Sequence, residues 1–77
     1  MNKYLVIEIQ TNKDEAIGNL VFAFDTWNEA QSKYHYVLAA AAVSGLPVHA
    51  AMLVDNHGGL LESMAYETKE EGGDEMI

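Results

Sequence analysis

The side chains with the widest chemical repertoire in this sequence are three histidines, His35, His49 and His57. A helical zinc site sets two histidines one turn apart with an acid close by, and no pair here has that spacing. The chain has no cysteine, so thiolate metal sites and disulfides are excluded. Asp25, Glu29 and Glu62 are the acids placed on structured segments. A general acid and base pair needs a cleft and an apolar wall that separates two pKa values. Asp25 and Glu29 have a simpler role beside a helix N-terminus, where the dipole favours negative charge. Gly58-Gly59 is followed by no lysine, so it is a turn and not a phosphate loop. No serine stands in a nucleophile-elbow motif. The expectation is a protein with no catalytic residues, no metal and no cofactor, and so not an enzyme.

Charge narrows the partners. Twelve acids against four basic residues, all lysine, give a formal net charge of -8. Binding nucleic acid through its phosphates needs clustered Lys and Arg, and an anionic membrane surface needs the same. Neither is expected. The acidity is uneven: between Glu67 and Glu75 five acids and one lysine contribute -4. Residues 69–77 therefore read as a disordered, solubilising tail after one domain over residues 1–68. No apolar run is long enough for a bilayer span and the N-terminus lacks a signal-peptide core, so a cytoplasmic location is expected.

The elements that position these residues follow from periodicity. Lys3 to Gln10 alternates as a strand, Thr11 to Gly18 reads as a loop, and Asn19 to Asp25 as a second strand. Thr26-Trp27-Asn28-Glu29 has capping-box spacing. Trp27, Ala30, Tyr34, Val37, Leu38 and Ala41 then recur as one helical stripe. Gly45 can take the left-handed conformation that closes a helix, and Pro47 forbids continuation. Val48 to Asp55 is a third strand, Asp55 to Gly59 a turn, and Leu60 to Glu67 a fourth strand. The fold class expected is α+β: ββαββ, a four-stranded, mainly antiparallel sheet with one helix packed on one face. Strand order is left open.

One helix covers one face of such a sheet, yet both faces are apolar here. Leu5, Ile7, Ile9, Leu20, Phe22, Phe24, Val48, Ala50, Met52 and Val54 are assigned to the helix side. Tyr4, Val6, Val21, Ala23, Ala51 and Leu53 then form an open patch, where a solvated face should alternate with polar residues. Ala39 to Ala42 adds a smooth helix surface. Tyr36 lies off the buried stripe, while Trp27 and Tyr34 read as core. The expected interface is Tyr4, Val6, Val21, Ala23, Ala51, Leu53, Tyr36, Ala39 and Ala40, and the expected state a homo-oligomer.

Lys3-Tyr4-Leu5-Val6-Ile7-Glu8-Ile9-Gln10-Thr11, Gly18-Asn19-Leu20-Val21, Lys33-Tyr34-His35, and the run from Val37 to Ser44 continued by Leu46 to Ala51, resemble a family of small uncharacterised proteins of Firmicutes and their prophages. The resemblance extends to about Tyr66 and implies a phage or prophage accessory setting without an assigned activity. The leading functional expectation is a self-associating protein-interaction module with an accessory or assembly role and a further protein partner. The alternatives are an acidic inhibitor that mimics nucleic acid against a host defence protein, and a small-ligand binder with its pocket between protomers.

Overall fold

The computed structural model describes residues 2–68, so the expectation for the acidic tail lies outside the described residues. Strand β1 is Tyr4–Thr11, β2 Ile17–Phe24, helix α1 Trp27–Ala42, β3 Val48–Asp55 and β4 Leu60–Glu67. This is the expected ββαββ order. All neighbouring strands are antiparallel, and the sheet order is β2-β1-β3-β4. Because β2 and β3 both run against β1, they are parallel to each other. Parallel strands in one sheet need a long crossover, and α1 supplies it, carrying the chain over β1. The first loop is shorter than expected: β1 extends to Thr11 and β2 begins at Ile17, two residues before the expected start at Asn19.

Both helix ends form as their residues dictate. The Glu29 amide donates to Thr26 Oγ1 at 3.2 Å, and Thr26 Oγ1 donates to Glu29 Oε1 at 3.0 Å. The helix caps at Val43, and Gly45, two residues on, has φ +74. Thr26→Ala is expected to lower stability by about 1 kcal/mol through loss of the cap acceptor. Gly45→Val is expected to cost at least as much, because a β-branched residue resists positive φ. Denaturant titration of both variants checks the two boundaries.

The core lies between α1 and one face of the sheet. Ala30, Tyr34, Val37 and Leu38 of the helix pack on Val6 of β1 and on Ala51 and Leu53 of β3, and these three strand residues are 0% exposed. Tyr4, Phe22, Phe24 and Tyr66 close the margins of the cluster. Trp27, at the start of the stripe, is 41% exposed and meets Tyr4 edge-on, with ring centroids 5.5 Å apart.

This corrects the face assignment for β1 and β3. Tyr4, Val6, Ala51 and Leu53, expected on the open side, are the floor of the core. Leu5, Ile7, Ile9, Val48, Ala50, Met52 and Val54, expected under the helix, lie on the other face, since strand side chains alternate. For β2 the assignment stands: Phe22 and Phe24 pack on the core while Val21 and Ala23 are exposed on the open side. The physical reason lies in one residue. Glu8 shares a face with Val6 and marks that face as wet in a reading of alternation, but the fold buries Glu8 against a partner from β3.

Candidate functional site

That partner is His49. Register sets Gln10 of β1 opposite His49 of β3, with Glu8 one step further on the same face. The chain leaves α1 directly above them, because Ser44 follows the cap residue Val43. His49 is 4% exposed, the one buried polar residue in the described core. Its Nε2 lies 2.6 Å from Glu8 Oε2 and its Nδ1 2.9 Å from Ser44 Oγ. Gln10 Nε2 donates to the same Glu8 oxygen at 3.0 Å. Ser44 Oγ in turn accepts from the Leu46 amide and lies 3.3 Å from the Ala41 carbonyl oxygen.

Burial of the Glu8 carboxyl works to raise its pKa, but the hydrogen bonds from His49 and Gln10, with the charges of His49 and Lys33, outweigh it and hold it below the ordinary value. A ring nitrogen facing that carboxylate carries a proton. When the ring is neutral, Nδ1 accepts from the Ser44 hydroxyl. When the ring is charged, Nδ1 donates to Ser44, whose own proton turns to Ala41 O. Serine, imidazole and carboxylate stand here in the order used for acyl transfer. Their hydrogen bonds, however, go to a helix C-terminus and the turn after it, and they satisfy groups that burial would otherwise strand. The arrangement fastens the end of α1 to the centre of the sheet. Sequence reasoning missed it, since Glu8, Ser44 and His49 share no local motif.

The other residues singled out by sequence do not converge. His57 is exposed in the turn after β3, and His35 is exposed on α1, edge-on to Tyr34. No group of three His, Asp or Glu that could hold a metal exists among the described residues. Asp55 accepts from the amides of His57 and Gly59, which holds its pKa down and closes the turn. Glu62 accepts from Gln31 at 2.7 Å, tying β4 to the helix. Tyr36 is 67% exposed, and Ala39 and Ala40 are exposed beside it.

Two surfaces remain that could engage another molecule. Beside α1, a cleft of about 630 Å³ is lined by Phe24, Asn28, Glu29, Ser32, Lys33 and Tyr36. Lys33 Nζ lies over the Phe22 ring at 4.1 Å and near the Tyr36 ring at 5.0 Å, so the ammonium is held by aromatic faces. The second surface is the uncovered sheet face. It carries Leu5, Ile7 and Ile9 from β1, Val21 and Ala23 from β2, and Ala50, Met52 and Val54 from β3, with Ala65 from β4. Register sets Ser63 and, opposite Val48 at one end, Glu67 on the same face, so its one charged strand residue stands at the margin. No helix among the described residues is long and apolar enough to cross a membrane, so that face is not part of such a helix. Compared with known proteins, the chain matches no family model, no curated protein and no solved structure.

Proposed function

We propose that the chain is a non-enzymatic, self-associating protein-interaction module whose open sheet face is covered by a second copy of itself. The observation that carries this reading is the apolar face opposite the helix, where Glu67 at one margin is the one charged strand residue. In a chain of net charge -8, copies meet with least repulsion where acids are fewest. Size agrees. Strands about 4.8 Å apart and residues about 3.3 Å apart make the face roughly 19 by 26 Å, on the order of 500 Å². Two such faces bury on the order of 1,000 Å², the lower limit for a specific interface. A domain this small also gains from oligomerisation, having no disulfide to stiffen it. The resemblance to small proteins of Firmicutes and their prophages supports reading such a module as an accessory or assembly protein of the bacterial cytoplasm with further protein partners.

Sedimentation equilibrium at micromolar concentration tests the reading. The native chain is expected at twice its formula mass or more, and Met52→Lys, which sets a charge at the centre of the face, is expected to lower that mass while the chain stays folded. A native protein that is monomeric at high concentration would end the proposal.

A further inference from the structure

Among the described residues the sheet has two free edges, and they differ. Edge strands expose unpaired backbone groups, and natural proteins guard them with charge, proline or bulges. The β4 edge is guarded: it carries Glu62 and Glu67, and its pairing with β3 is interrupted between Leu53 and Val54. The β2 edge, Ile17-Gly18-Asn19-Leu20-Val21-Phe22-Ala23-Phe24, has no charge and no proline, and its pairing with β1 is regular over all eight residues. Apolar exposure does not separate the edges, since Ile17, Leu20 and Val21 of β2 and Leu60, Leu61 and Met64 of β4 are all exposed; charge and regularity of pairing do.

The direction of each backbone group on β2 follows from the ladder. The Asn12 amide donates to Ala16 O at 2.9 Å, so residues whose numbers sum to 28 are register partners, and the pair 12 and 16 is hydrogen-bonded. Antiparallel pairs alternate between bonded and non-bonded. Gly18, Leu20, Phe22 and Phe24 therefore bond inward to β1, whereas Asn19, Val21 and Ala23 turn their N–H and C=O groups outward. The β1–β3 ladder agrees, since the Asn56 amide donates to Lys3 O, which makes the odd residues of β1 face β3.

We infer that β2 is a second self-pairing surface: two copies join edge to edge through β2, about a two-fold axis at Val21, to make one sheet of eight antiparallel strands. The occupant is a second copy because the strand is uncharged in an otherwise strongly acidic chain and its sequence is compatible with its own reverse. Centred on Val21, the pairing sets Leu20 opposite Phe22 of the second copy on the helix side and Val21 opposite its own equivalent on the open side. Every opposed pair then shares a face, as strand pairing requires. The outward groups of Asn19, Val21 and Ala23 gain main-chain partners. This contact uses the backbone of β2, whereas the open face is made by side chains, those of Val21 and Ala23 among them, and together the two would close a tetramer with two kinds of two-fold contact.

Proline separates them. Val21→Pro removes an outward N–H, which an edge strand tolerates, and leaves the β1 ladder intact. By sedimentation, the native chain is expected as a tetramer, Val21→Pro and Met52→Lys each as dimers, and the double variant as a folded monomer. Val21→Pro that is folded by circular dichroism and keeps the native mass overturns the inference, and with it pairing by β2, even if Met52→Lys still lowers the mass. Loss of mass in Val21→Pro alone upholds the edge and removes the face. Should Val21→Pro not fold, amide exchange in Met52→Lys decides. The outward amides of Asn19 and Ala23 are expected to be protected at least tenfold over those of Lys13 and Asp14 in the preceding turn. Unprotected exchange there, as for a strand that instead awaits a foreign peptide, overturns the inference.

Discussion

Val6→Lys is expected to abolish cooperative folding, whereas Ile7→Lys, one residue further on, is expected to leave a folded chain. Val6 is fully buried between β3 and α1, and a lysine there has no exit to water, while Glu8 on the same face is already engaged by His49 and Gln10. Burying an unpaired charge costs several kcal/mol, which is comparable with the whole stability of a small domain. Ile7 is half-buried on the open face, opposite Val21 and Met52, and a lysine can lay its stem along that surface with the ammonium in water. The loss at Ile7 should be about 1 kcal/mol of folding stability, with lower association as its main effect. Far-ultraviolet thermal melts of the two variants distinguish the cases. Equal behaviour, or the reverse order, would mean that the helix covers the other face.

His49→Ala is expected to destabilise the protein by about 1–3 kcal/mol near neutral pH, the usual result of removing one partner of a buried hydrogen bond to a carboxylate. The loss is large because Glu8 stays behind, with its side chain 13% exposed and Gln10 as its remaining hydrogen-bond donor. Ser44 loses its contact with the ring as well, so the turn after α1 loosens. Glu8→Gln should cost less, because an amide can still accept from His49. The same pair sets an acid limb. Since the folded pKa of Glu8 lies below its ordinary value of 4.5, its contribution is fully present above that value and is lost as pH falls through the lower folded one. Glu8→Gln is therefore expected to flatten stability against pH below about 4.5. Urea titrations of the parent and the two single variants at several pH values measure both effects. An acid limb unchanged in Glu8→Gln would assign it to Asp55 or another carboxylate.

Much of the architecture was legible in the sequence because its signals are local. The capping box at Thr26, Gly45 and Pro47 after the helix, the stripe from Ala30 to Ala41 and the turn at Asp55 each act within a few residues. They determined one helix and four strands in this order, with β3 and β4 at their observed limits. Composition likewise removed disulfides and thiolate sites. What only the tertiary structure decided is which way β1 and β3 face. Alternation states that Val6 and Ile7 point to opposite sides, and with both sides apolar it cannot say which side the helix takes. The choice rests on contacts between residues far apart in the chain. His49 pairs with Glu8 across 41 positions, and together with Ser44 at the helix end they make a polar group acceptable inside. Ala51 at the same time leaves room for α1 to approach β3. A carboxylate read alone marks a wet surface; beside an imidazole and an amide it belongs to the interior, because hydrogen bonds replace the water it gives up. Strand order was undetermined for a related reason, since nothing local selects β1 rather than β2 as the neighbour of β3. With β1 in the centre, the two apolar faces of the middle strands part, one under the helix and one on the uncovered side of the sheet.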